Sequence, residues 1–317
     1  MSFIWRRLGT ATITLFLVSI ISFTAFRLIP GDAALLSLGT EASPEQLEAL
    51  RAEMGLDKSF PEQYASWLSK FLTGDLGNSA RFRGASISGI ILSRLPVTAS
   101  LALLSFIFII VIAIPVSLFS VKKENSFLSR SVTSLTALGI SMPGFFLGII
   151  FIWIFGVLLK LFIPGGYMSY GESRTAFWFY LVFPALAIAV PNAALVVKFL
   201  RSSIFRELSS DYVRTARSKG GNPDQILLWH VLKNACLPAV TLMGMICAEI
   251  FSGSIVIEQV FSIPGIGRLL IASITARDYP MIETLIIYIA FAVILANTLA
   301  EIAIQIIDPR IRLGEKV

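Results

Sequence analysis

Residues 97–121 read VTASLALLSFIFIIVIAIPVSLFSV, a run without one charged side chain. About 20 mostly apolar residues suffice to cross the hydrocarbon core of a bilayer as a helix. Backbone polar groups must be satisfied within such a segment, which favours helix over an open strand. Working outward, five more stretches qualify: Leu8–Leu28, Leu135–Leu159, Ala176–Val197, Ala235–Ile257 and Thr284–Ile307. The spacing predicts an all-α polytopic membrane protein with six transmembrane helices. The composition of the 317-residue chain agrees, with 56% hydrophobic and 15% charged residues and a mean hydropathy of +0.80. Soluble domains carry roughly 25% charged residues. Disorder, a coiled coil and an ordinary cytosolic globule are therefore excluded.

The net charge of +6 would suggest nucleic acid in a soluble protein, but in a membrane protein excess Lys and Arg first report orientation. The N-terminus, 122–134, 198–234 and 308–317 hold 2, 3, 7 and 3 basic residues, whereas 160–175 and 258–283 hold two each. Both termini are therefore expected in the cytoplasm. Residues 29–96 are too long to be governed by that rule. Arg6-Arg7 followed by an apolar run resembles a signal peptide, but the run is long and no small-x-small cleavage site follows, so a retained anchor helix is expected. Cys236 and Cys247 are about 16 Å apart along one helix, too far for a disulfide. One histidine, His230, and two cysteines offer no metal spacing.

Three segments organise the chain: 1–28 (N-terminus and first span), 29–96 (an extracytoplasmic cap) and 97–317 (a five-span core containing a loop at 202–234). In the cap, Ser43-Pro44-Glu45-Gln46 reads as a capped helix start, with Leu47, Leu50 and Met54 on one face and Gly55 as terminator. Ser59-Phe60-Pro61-Glu62 opens a second helix, whose Tyr64, Trp67, Leu68, Phe71 and Leu72 share one side. That face is expected to pack at the membrane mouth. The sharper alternative is a docking surface that includes Tyr64, Trp67 and Asp75. In the long cytoplasmic loop, Gly220-Gly221 suits a helix C-cap and Asn222-Pro223-Asp224-Gln225 a helix start. Helix, sharp turn and helix are thus expected between spans four and five.

The stretch Asp211-Tyr212-Val213-Arg214-Thr215-Ala216-Arg217-Ser218-Lys219-Gly220, followed by Leu237-Pro238, resembles the EAA loop of importer-type ABC transporter permeases. Of the Glu-Ala-Ala and Gly of the general pattern, only Ala216 and Gly220 match, and the interval to Pro238 is long. Both departures narrow the resemblance to the dipeptide/oligopeptide/nickel branch. Arg27-Leu28-Ile29-Pro30-Gly31-Asp32, Gly55-Leu56-Asp57, Gly74-Asp75-Leu76-Gly77, Arg94-Leu95-Pro96-Val97-Thr98, the segment Glu258 to Arg268, Asp278-Tyr279-Pro280 and Asp308-Pro309-Arg310 resemble the same branch. The resemblance implies a permease subunit of an ATP-driven importer in a bacterial-type inner membrane, with peptides as cargo. It also implies a second homologous permease, two cytoplasmic ATP-binding subunits and an extracytoplasmic substrate-binding protein. Asp211, Tyr212, Arg214, Thr215, Ala216, Arg217, Lys219 and Gly220 would then couple to an ATPase.

No G-x-x-x-x-G-K-[ST] loop occurs, so no cofactor is expected on this chain, and ATP and Mg would sit on partner subunits. Catalytic residues and metal ligands are not expected. Glu249 lies well inside a span and should face a cavity or a polar partner; lining the pore and bonding a neighbouring helix stay equally open. Asn297, four residues before Glu301, is a second candidate for the pore. Pro115, Pro143, Pro184 and Pro191 are expected to kink spans, and Gly139, Gly144 and Gly148 to permit close helix approach. Nickel import is the alternative within the branch. A secondary transporter would need paired broken helices in repeated halves, which the sequence does not show. An intramembrane hydrolase would need a nucleophile and a base that have no counterpart here.

Overall fold

The computed structural model describes residues 2–28, 43–53, 57–79, 81–82, 84–122 and 126–307. The expectations placed on Pro30-Gly31-Asp32, on Met54, Gly55 and Leu56, on the Leu47 and Leu50 side chains and on Asp308-Pro309-Arg310 fall outside them. The described helices are α1 (Ser2–Leu28), α2 (Pro44–Glu53), α3 (Phe60–Leu72), α4 (Ile87–Lys122) and α5 (Phe127–Ser141). Then come α6 (Gly144–Leu158), α7 (Arg174–Leu208), α8 (Asp211–Ser218), α9 (Pro223–Val260), α10 (Ile266–Thr275) and α11 (Tyr279–Ile307). Among the described residues, five helices are long and apolar enough to cross a membrane, and the pair α5–α6 makes a sixth crossing if counted as one span. The chain divides into two units, 1–97 with 264–292 and 98–263 with 293–317. The first unit thus joins the first long helix with the described part of the 29–96 segment and the start of α11.

In the first unit, local rules fix the short helices. Ser43 accepts from Gln46 N at 3.2 Å while Gln46 accepts from Ser43 N at 3.1 Å, a reciprocal cap for α2. Glu62 accepts from Ser59 N at 3.1 Å at the start of α3. The core gathers Ile87, Ile91, Ile266, Leu269, Met281 and Leu285 from α4, α10 and α11. Helix α10 was not expected; residues 258–283 read as a loop because ten residues cannot span a bilayer. It forms because Ile266, Leu269 and Ser273 occupy one buried stripe. Asp278 is buried beside it, accepting hydrogen bonds from the Ser79 hydroxyl and from Arg81 N at 3.3 Å.

In the second unit α7 is central, packing on α5, α6 and α9. The close approaches expected of the glycines occur. A Cβ on Gly139 would lie 2.9 Å from the Ala194 Cβ, and one on Gly148 would lie 3.0 Å from the Phe261 ring. The third span differs from the continuous Leu135–Leu159 helix expected. Helices α5 and α6 meet at 103°, with Met142 extended at φ −95°, ψ 122° and Pro143 at φ −61°, ψ 139°. Proline excludes its predecessor from the helical region and supplies no N–H, so a break replaces the kink. The last part of α6, Ile152–Leu158, is π-helical, and Phe162 stacks on Phe183 at 4.6 Å beyond it. Pro184 and Pro191 are carried inside α7.

Candidate functional site

Helix α8 follows Ser210 and turns sharply at its end. Gly220 has φ +80°, a conformation costly to any residue with a Cβ, and its N–H donates to Arg217 O at 2.9 Å. Gly221 is required for a different reason: a Cβ there would lie 3.0 Å from Ala216 O and 3.1 Å from Ile226 Cδ1. The sequence expectation placed the weight on Gly220, while the structure gives the tighter steric constraint to Gly221. Asn222 then accepts from Asp224 N at 2.9 Å and starts the next helix, as expected. That helix is not separate. One α turn, Pro223–Gln225, passes through a π segment, Ile226–Val231, and continues into the fifth span.

Val213 anchors α8, packing with Leu200, Ile204, Ile226, Leu227 and Val231. Ala216 is half-buried on the same side. Asp211, Tyr212, Arg214, Thr215, Arg217, Lys219 and Gly220 are exposed. Seven of the eight residues assigned to this site therefore share an open surface, and Ala216 serves packing. The Tyr212 hydroxyl donates to Glu207 Oε2 at 2.7 Å, tying α8 to the end of α7. Partial burial pushes the Tyr212 pKa above 10, against the hydrogen bond with Asn234 at the base of α9 and with help from Glu207. Asp224 pairs with Lys122 of α4 at 2.8 Å; both side chains are substantially exposed. Such a pair contributes about 0–1 kcal/mol, so it orients the turn more than it stabilises it.

Glu249 is exposed on α9, and it is not isolated. Asn234, Pro238, Thr241, Met245, Glu249, Ser252, Val256 and Gln259 are exposed at three- and four-residue intervals along α9. The opposite side buries Ala235, Ala239, Ile246, Ile250 and Ile257. A stripe holding Asn, Thr, Glu, Ser and Gln is unsuited to lipid tails. Asn297 is half-buried on α11, and no hydrogen bond joins it to Glu249 among the described residues. Sequence reasoning chose Glu249 as a single charge; the 3–4 spacing of its polar neighbours was the signal for the whole stripe.

The cap residues separate. Tyr64 and Trp67 pack on Phe23 of α1 at ring distances of 5.3 and 5.4 Å, and the Tyr64 hydroxyl shares a 2.7 Å hydrogen bond with Ser19. These contacts pack that face against the first apolar helix. Asp75 is exposed and accepts from Gly77 N at 3.2 Å.

Besides Asp278, two more buried carboxylates, Glu258 and Glu283, were given no role by the sequence. Glu283 receives Arg27 at 2.8 Å, and the same guanidinium donates to Gln63 at 2.9 Å and lies 3.8 Å above the Phe23 ring. Glu258, fully buried, accepts from Thr98 at 2.6 Å. Close by in sequence, the Tyr180 hydroxyl donates to Phe261 O at 2.6 Å and accepts from Gly165 N at 3.0 Å. Partners 36 to 256 positions apart leave no local pattern to read.

Comparison with known proteins agrees with this architecture. Residues 113–313 match the family described as binding-protein-dependent transport system inner membrane component, and residues 1–102 match the N-terminal region of such membrane components. The chain is 34% identical over 310 residues to the "Probable peptide ABC transporter permease protein y4tP" of Sinorhizobium fredii, covering 98% of this chain and 99% of the relative. It is 34% identical over 296 residues to the oligopeptide transport system permease protein AppB of Bacillus subtilis, covering 93% and 94%. The apolar helices, the capped turn between the fourth and fifth spans and the nearly end-to-end family match together make this chain a member of the inner-membrane permease components of binding-protein-dependent ABC transport systems.

Proposed function

We propose that this chain is one of two homologous permease subunits forming the pore of an ATP-driven peptide importer. Two cytoplasmic ATPases bind ATP and Mg, and an extracytoplasmic binding protein delivers the peptide. Both termini and the turn at 220–221 lie in the cytoplasm, in accord with the basic residues of 198–234. Peptide cargo is supported by the names of the relatives from Sinorhizobium fredii and Bacillus subtilis.

The observation that carries the reading is the presentation of α8. A helix anchored by Val213 offers Asp211, Tyr212, Arg214, Thr215, Arg217 and Lys219 outward; Tyr212 ties it to α7, and the tight turn joins it to α9, whose Asp224 pairs with Lys122 of α4. A push on such a helix is passed to α4, α7 and α9 instead of being absorbed by a loose linker. The polar stripe of α9, with Glu249 at its centre, supports a water-facing translocation surface. Asn297 is a second pore candidate. Of the cap residues, Asp75 offers an open surface to the binding protein, and Tyr64 and Trp67 shape that surface through packing.

The test is Arg217→Glu in the assembled complex reconstituted with its ATPases and binding protein. Uptake of a labelled peptide should fall at least about tenfold, a change of about 1.4 kcal/mol, while the subunits still copurify and ATP is still hydrolysed. Undiminished uptake would remove the coupling assignment.

A further inference from the structure

We propose that the seam between α5 and α7, at the end of α7 nearest α8, binds the phosphate of an anionic phospholipid. The centre of the site is Arg201. Its Nη2 donates to the Ser129 hydroxyl at 3.0 Å, its Nη1 donates to the Thr133 hydroxyl, and its guanidinium lies 5.5 Å from the Phe205 ring centroid. Ser129 is 1% exposed and lies 3.4 Å from the equally buried Ser120 hydroxyl, so the guanidinium is held in one orientation. All its partners are neutral. No carboxylate pairs with it among the described residues, and its Nε is buried without an acceptor.

A guanidinium at a membrane boundary without a counter-charge is costly. Each Nη here uses one hydrogen on a hydroxyl, leaving a second on each for an acceptor from outside, and Thr133 beside them is exposed. Phosphate oxygens match that fork in geometry and charge. Exposed Lys198, one turn earlier on α7, and exposed Arg130, next to Ser129, likewise form no ion pair among the described residues. Their charges add to the attraction.

Depth and surroundings select a lipid over a soluble anion. Arg201 lies four residues beyond Val197, the end of the apolar run, about 6 Å along the helix. That is headgroup depth, where Lys and Arg meet anionic lipid. Phe127 (80% exposed), Phe199 (50%) and Leu128 (40%) stand on the same two helices, apolar surface suited to acyl chains.

The experiment is native mass spectrometry of the full chain in detergent with equimolar phosphatidylglycerol and phosphatidylcholine. The wild type should retain the anionic phosphatidylglycerol about tenfold better, equivalent to about 1.4 kcal/mol. Arg201→Gln should bring the two near parity, and the exposed-site variant Lys198→Gln should lower the preference without loss of thermal stability. Arg201→Lys should keep part of the preference. Equal retention by the wild type, or a preference unchanged in both the Arg201→Gln and Lys198→Gln variants, overturns the proposal. Release of the lipid by excess inorganic phosphate would reassign the seam to a soluble anion. Loss of the lipid on assembly with the partner subunits would reassign it to a protein carboxylate.

Discussion

Helices α3 and α8 are both short, amphipathic and outside the spans, and they are used in opposite ways. Helix α3 turns its aromatic side onto α1: Phe60, Tyr64 and Trp67 surround Phe23, which is fully buried. Edge-to-face aromatic contacts add about 0.5–1.5 kcal/mol each beyond area burial. Helix α8 buries little beyond Val213 and leaves its polar side open. A helix whose apolar face is occupied by its own chain is a structural part. A helix with one buried apolar residue, whose charged side chains stand exposed and, among the described residues, pair only within the helix at Asp211 and Arg214, keeps a polar surface open to a partner. The difference separates the residues that shape the cap from those proposed to meet an ATPase.

The strongest way to break the comparison is at Arg27. Glu283 is 4% exposed, and removing its partner leaves a buried charge unpaired. The loss is about 3–5 kcal/mol. Arg27→Ala should lower the melting temperature and open α3 to protease while α8 keeps its protection. In the double variant with Glu283→Gln, the total loss should be smaller than the sum of the single losses. Additivity would show that the pair is not coupled.

A second change acts on the other helix. Gly221→Val places a branched side chain against Ala216 O and Ile226, an overpacking worth about 1–3 kcal/mol. Peptide uptake should fall while the melting temperature of the α1–α3 region, read by tryptophan fluorescence of Trp67, stays near wild type. Normal uptake would show that the turn tolerates displacement and that α8 is not a coupling element.

The smallest effect sharpens the comparison at the start of α3. The Ser59 hydroxyl and Ser59 N–H hold the Glu62 pKa below its ordinary 4.5, with a lesser contribution from Lys58. A lowered folded pKa stabilises the cap fully above that ordinary value and ceases to do so as pH falls through the lowered one. Hydrogen exchange at the first turn of α3 should therefore speed up below about pH 4, and Glu62→Gln should flatten that dependence. The first turn of α8, with a different cap, should not follow Glu62.

Local and long-range information divide cleanly in this molecule. The apolar runs announced the long helices, and the caps at Ser43, Ser59 and Asn222 announced where shorter ones start. Gly220-Gly221 announced the turn. The break at Met142-Pro143 had a signal in Pro143, but a proline in a span can kink or stop a helix, and neighbours decide which. The polar stripe of α9 was legible as a pattern and overlooked in favour of its one charge.

The sequence by itself determined a helical membrane protein, the turn between the fourth and fifth spans and the residues offered there, because hydropathy, capping and helix periodicity are properties of neighbouring residues. Tertiary structure alone decided that Arg27 meets Glu283, that Thr98 meets Glu258, that Gly221 is pressed against Ile226 and that Arg201 meets the hydroxyls of Ser129 and Thr133. Those facts depend on which helices pack together. A buried polar group must find its partner in space, wherever in the chain that partner lies.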